Sequence, residues 1–149
     1  HIIGSHPHVT QPMELRTNGN QQHAIVYSLG NFISNMSAAN TDGGLIFTLQ
    51  LEKYPLPKPI RPLQNHSSHS PSPESFASSF PFARVVRCGY TLVWTGRPTL
   101  TGEKNYILYP SYSPHSHLPQ SARNRLNIFI KNTRKFLVQH NTEIYENNK

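Results

Sequence analysis

The sequence predicts a mixed α/β chain of α+β character, with strands first and a helix last. Three observations carry this reading. Over most of the chain apolar residues come in short alternating runs rather than at helical spacing. Thirteen prolines and eight glycines punctuate 149 residues, which favours short strands and loops over long helices. Only one stretch, near the C-terminus, keeps an apolar stripe at helical spacing.

Taken in order, Ile2-Ile3 is a short apolar strand ended by Gly4-Ser5. Met13 to Arg16 alternates apolar and polar side chains up to Asn18-Gly19-Asn20, a strong hairpin signal. Ala24 to Tyr27 is the return strand, stopped by Ser28-Leu29-Gly30-Asn31. After the apparent turn Asp42-Gly43-Gly44, the run Leu45 to Leu51 sorts its odd and even positions onto two faces. From Pro55 to Ala83 the composition changes. Seven of the 13 prolines fall here, with seven serines between Ser67 and Ser79. Such a stretch buries too little apolar surface to offset its ordering entropy, which predicts a long loop or disordered insertion.

Strand pattern resumes at Arg84 to Arg87, continues through Tyr90 to Thr95, and is ended by Gly96-Arg97-Pro98. Asn105 to Tyr109 is a further strand, closed by Pro110, and Ser113 to Gln120 is polar and proline-rich. The helix follows. Ser121 is its expected N-cap, and Leu126, Phe129, Ile130, Thr133, Phe136, Leu137 and His140 fall on one stripe. The sum is five or six strands, one long loop and one helix, in segments 1–54, 55–83 and 84–149 of one domain.

Composition excludes several classes. Only 14% of residues are charged, too few for a coiled coil or a disordered polyelectrolyte. No apolar run approaches the roughly 20 residues of a membrane helix. The single Cys88 rules out an internal disulfide and a cysteine-rich zinc site, and is expected as a buried strand residue. No P-loop, dinucleotide fingerprint, zinc-finger spacing or RNA-recognition motif is present, and Ser28 lacks a G-x-S-x-G elbow. The net charge is +7, and five of the 14 basic residues lie between Arg123 and Lys135. A solvated helix face explains them without specific nucleic-acid binding, since no base-stacking aromatics accompany the charges. Docking to an anionic polymer is the functional version of the same cluster. The chain opens at His1 in an apolar pair rather than at Met, and so reads as the interior or end of something larger.

The sharpest local feature is Gly4-Ser5-His6-Pro7-His8-Val9-Thr10-Gln11-Pro12. It follows directly on a strand, where loops commonly hold functional groups. Two imidazoles one residue apart in a loop can splay towards neighbouring metal ions, and Pro7 fixes a backbone torsion between them. The second feature, Tyr27-Ser28-Leu29-Gly30-Asn31-Phe32, ends another strand, and by itself reads as a turn. His115-Ser116-His117 is another H-x-H, expected to be a solvated loop. His66 and His69 in the Pro/Ser-rich stretch are expected to be the same.

Together GSHPHVTQPMEL and IVYSLGNFISN resemble the ending of the CapA-like capsule and poly-γ-glutamate biosynthesis proteins, bacterial members of the calcineurin-like metallophosphoesterase superfamily. The later GYTLVWTGRP, the strand NYILYP and the basic helix are also similar to that family's tail. The resemblance implies a two-sheet sandwich flanked by helices, of which this chain supplies the C-terminal strands and last helix. It implies that His6 and His8 are ligands of a two-ion centre of Mn, Fe or Zn, each histidine on a different ion. Gln11, Tyr27, Ser28, Gly30 and Asn31 would lie around the pocket. The implied chemistry is that of metal-dependent phosphoesterases and hydrolases, on an anionic polymer or phosphorylated substrate. A capsule-synthesis membrane complex in the cell envelope, anchored through an N-terminal part, is the implied setting; a cytoplasmic one is the alternative.

The departures matter equally. The family's Gly-Asp, Asn-Glu and Asn-Asn-His-x-x-Asp segments are not in this sequence. It holds one aspartate, Asp42, and six scattered glutamates, whereas a two-metal site needs a bridging carboxylate and further ligands. The 149 residues alone are therefore expected to be inactive, poorly or only locally folded, and weak in holding metal. Two imidazoles fall short of the ~3–4 protein ligands of an ordinary zinc site. A non-enzymatic assembly or export factor for an anionic polymer on the same scaffold is the alternative reading.

Overall fold

A computed structural model of the chain describes residues 1–36, 38–53 and 83–147. The Pro/Ser-rich stretch, with His66 and His69, lies outside the described residues apart from Ala83. The elements are β1 (Ile2–Ile3), β2 (Met13–Asn18), β3 (Gln21–Val26), β4 (Gly43–Lys53), β5 (Ala83–Gly96), α1 (Pro98–Thr101), β6 (Ile107–Pro110), α2 (Gln120–His140) and β7 (Tyr145–Glu146). This is a mixed α/β architecture with two sheets and two helices, as the sequence predicts for its class.

The first sheet has the order β1-β3-β2, with β1 parallel to β3 and β2 antiparallel to it. The hairpin turns where expected. Asn18 pairs with Gln21, and Gly19 takes a φ of 58° that the tight two-residue loop requires. The second sheet is built on the long β5. Its one edge pairs antiparallel with β4 along the whole length of that strand, with a bulge at Gln50/Leu51. Its other edge takes β6 against Val93–Gly96 and β7 against Gly89-Tyr90.

One core serves both sheets. Met13 and Val26 from the first sheet cluster with Leu45, Tyr90, Leu92 and Trp94 of the second and with Leu126, Phe129, Ile130 and Leu137 of α2. The sheets are joined by the segment after β3. Thr10 bridges Leu29, Gly30 bridges Gly44, the Leu45 amide donates to the Leu29 carbonyl at 2.9 Å, and the Asn31 amide donates to Gly43 at 3.0 Å. Glycine is needed on both sides of this seam. Gly30 has a φ of 75°, and a Cβ on Gly44 would stand 2.6 Å from the carbonyl oxygens of Leu29 and Asn31.

Several expectations are corrected. The α2 N-cap is Pro119 rather than Ser121, because the Pro119 carbonyl already accepts the Arg123 amide at 3.0 Å. The buried stripe runs Ala122, Leu126, Phe129, Ile130, Thr133, Leu137; Phe136 is half-buried, and His140 is exposed with its ring 4.7 Å from that of Phe136. Pro110 lies inside β6 rather than after it, paired with Val93. Short α1 was not anticipated, nor was β7, whose two residues carry too little pattern to read. The apparent turn Asp42-Gly43-Gly44 is instead the entry to β4, with Gly43 and Gly44 already in the strand. Asp42 is buried at the start of β4, where Oδ2 accepts from Trp94 Nε1 at 3.1 Å and faces Arg125 at 3.4 Å. Cys88 is half-buried rather than buried, and desolvation holds its thiol pKa above the ordinary value. His115 is half-buried rather than solvated, its ring edge-on to Tyr109 and its Nε2 2.9 Å from the Pro110 carbonyl.

Candidate metal-binding loop

The histidine loop is an arch with both feet on one segment. At the first foot the Gly4 amide donates to the Val26 carbonyl at 2.8 Å and the Leu29 amide to the Gly4 carbonyl at 2.9 Å. At the second the Gln11 amide donates to the Ser28 carbonyl at 3.0 Å and the Tyr27 amide to Pro12 at 3.2 Å. Residues 5–10 span between the feet. Inside the span the His8 amide donates to the Ser5 carbonyl at 3.2 Å, and His8 takes a φ of 72°. A non-glycine residue in that region carries strain of about 1–3 kcal/mol, tolerated where the surroundings over-determine it.

That geometry brings His6 and His8 together. Both are exposed, and their rings meet edge-on with centroids 5.7 Å apart. The segment that anchors the arch carries Asn31 in behind it, where Asn31 Oδ1 lies 2.9 Å from His8 Nδ1. Asn31 is itself buried, and its Nδ2 donates to the Thr41 carbonyl at 2.8 Å.

The remaining predicted residues fall around this pair in different ways. Ser28 is fully buried, and its Oγ accepts from the Gly30 amide at 3.2 Å, which tightens the turn between the two sheets. Gly30 supplies the left-handed turn itself. Gln11 is half-buried at the second foot, held through its amide. Tyr27 is exposed and directs its hydroxyl to Glu14, which also takes Arg16 at 2.8 Å. The hydrogen bond to Glu14 raises the Tyr27 pKa, while those from Arg16 and Tyr27 lower that of Glu14. An open apolar groove of about 510 Å³ flanks the arch, lined by Ile3, Ser5, Leu29, Phe32, Leu45 and Phe47 among others.

Sequence reasoning missed Thr41, whose carbonyl orients Asn31. Only contact across ten residues of chain reveals it. The donor set is incomplete. Among the described residues no group of three or more His, Cys, Asp or Glu side chains could hold a metal ion. The two imidazoles fit part of a metal centre: they are accessible, adjacent, and of the ligand type that transition metals take. The cations of α2 are partly committed elsewhere. Arg125 faces Asp42, and Arg134 pairs with Glu146 at 2.6 Å. No helix among the described residues is long and apolar enough to cross a membrane.

An α/β chain with a histidine-bearing arch standing beside the turn that joins its two sheets is the class that fold and site define. One family model, described as Bacterial capsule synthesis protein PGA_cap, matches residues 1–36. The match supports a CapA-like capsule protein over that stretch, which contains all seven predicted site residues. No curated protein and no solved structure matches the chain.

Proposed function

We propose that the chain is the C-terminal part of a CapA-like protein of capsule or poly-γ-glutamate biosynthesis, in which His6 and His8 ligate a divalent transition-metal centre of the metallophosphoesterase type. The observation that carries this reading is the meeting of its two motifs. The arch with His6 and His8 and the turn with Asn31 are 23 residues apart at their contact, and both lie in the matched stretch. The histidines would hold metal through ring nitrogens, with the other ligands supplied by chain outside the arch. When bound, the ions would supply Lewis-acid polarisation of a phosphoryl or related group. This chain's own contribution is to hold the loop that carries both rings: the feet of the arch fix its backbone, and the Asn31 contact orients the His8 ring.

Metal analysis of the purified longer protein of which this chain is the C-terminal part tests the reading. The expectation is about two transition-metal ions per molecule, lost in the His6→Ala/His8→Ala double variant. Metal content unchanged by both substitutions would end it.

A second reading, a non-enzymatic assembly or export factor for an anionic polymer, is favoured by the exposed face of α2. A groove there is lined by Lys131, Arg134 and Lys135 beside Val138, which is 74% exposed. Turnover of phosphomonoester or phosphodiester substrates that disappears in His8→Ala would reject this second reading.

A further inference from the structure

We infer that Asn31 is a positioning residue that selects the tautomer of His8, and thereby makes Nε2 the ligating atom. The inference rests on the reading of His6 and His8 as metal ligands and deepens it. The argument starts at the amide. Asn31 is only 7% exposed, and its Nδ2 lies 2.8 Å from the Thr41 carbonyl and 3.5 Å from Met36 Sδ. A carbonyl oxygen can only accept, so the amide must turn its NH₂ that way. The flipped amide would press two acceptors together in a buried place, and would leave a carbonyl unsatisfied at a cost of about 1–3 kcal/mol.

With the amide so fixed, Oδ1 is the atom that faces His8 Nδ1 at 2.9 Å. Oδ1 too can only accept, so Nδ1 carries the proton. In a neutral imidazole the other nitrogen then keeps its lone pair. Nε2 is therefore left as the free donor to a metal, on a ring that is exposed to solvent. The order runs from Thr41 to Asn31 to His8: a main-chain carbonyl sets an amide, and the amide sets a ring. Asn31 is in turn held at its own backbone, whose amide donates to Gly43 at 3.0 Å. A hydrogen bond to the nitrogen opposite the metal is the general device by which proteins orient a histidine ligand.

The test reads the tautomer directly. Long-range proton–nitrogen correlation spectra of the ¹⁵N-labelled, metal-free full chain, taken about two pH units above the ordinary imidazole value of roughly 6.5, should show His8 with its proton on Nδ1. His8→Gln identifies the signal. Asn31→Ala should return His8 to a mixture of tautomers and weaken zinc binding by about 10–100-fold. Asn31→Asp keeps an acceptor towards His8 but sets its second oxygen against the Thr41 carbonyl, so it should preserve the Nδ1–H pattern while lowering the stability of the fold. A His8 proton on Nε2 in the unsubstituted chain would overturn the inference, and would do so whether or not zinc binds. A tautomer unchanged in folded Asn31→Ala would overturn it as well. An Nδ1–H His8 in the longer protein, if that protein binds no zinc, would overturn the metal-centre reading instead, and with it the positioning role of Asn31.

Discussion

Glu146 illustrates how a single residue near the chain's end ties its layers together. Burial pushes its carboxyl pKa up, but hydrogen bonds from Arg134 at 2.6 and 2.8 Å and from Ser111 at 2.9 Å more than offset this. The net effect holds the group below its ordinary 4.5. A lowered folded-state pKa means stability that is present above the unfolded value and lost as pH falls through the folded one. Stability measured by urea unfolding should therefore drop as pH falls below 4.5, and Glu146→Gln should flatten that acid limb. An acid limb of the same slope in the variant would place the sensitivity elsewhere.

At the scale of elements, the ends of α2 carry an unequal share of its anchoring. Its N-terminus begins at an extended Pro119 with no side-chain cap, so Ser121, inside the first turn and exposed, has no capping role. Its C-terminus is fastened to the first sheet. Asn141 Oδ1 accepts the amide of fully buried Met13 at 2.8 Å, and the Thr142 amide donates to the Met13 carbonyl at 2.9 Å. Ser121→Ala should change unfolding free energy by no more than about 0.5 kcal/mol. Asn141→Ala strands a buried donor and should cost about 1–3 kcal/mol. Chemical denaturation of the two variants side by side decides the point; equal effects would contradict this account of the helix ends.

For the whole molecule, the seam at Gly30 and Gly44 is where fold and site become one problem. The same residues that dock the first sheet on the second place Asn31 behind His8. Gly44→Ala sets a methyl 2.6 Å from two carbonyl oxygens, so main chain must shift. It should destabilise the fold by about 1–3 kcal/mol. On the proposed metal-centre reading it should also weaken zinc binding, although Gly44 touches neither histidine. Calorimetric unfolding together with a zinc titration measures both; a loss of stability with unaltered zinc affinity would separate the seam from the site.

Much of this was legible in the residues. Short alternating runs marked the strand character of Met13 to Arg16 and Leu45 to Leu51 because period-two patterning reflects one buried face, and Gly19-Asn20 marked the hairpin because few residues accept that turn. His6 and His8 stood out through their spacing beside Pro7. Tertiary structure alone decided the rest. The two residues of β7 pair with β5 across 56 positions of sequence, Gly89 with Tyr145 and Tyr90 with Glu146, and form too short an element to leave a pattern. Asp42 looked like a turn residue because its partners, Trp94 and Arg125, are distant in the chain. Asn31 looked like a turn residue for the same reason. Its meaning depends on a ring from one side and a carbonyl from the other, and hydrogen bonds between distant segments have no periodicity for a sequence to display.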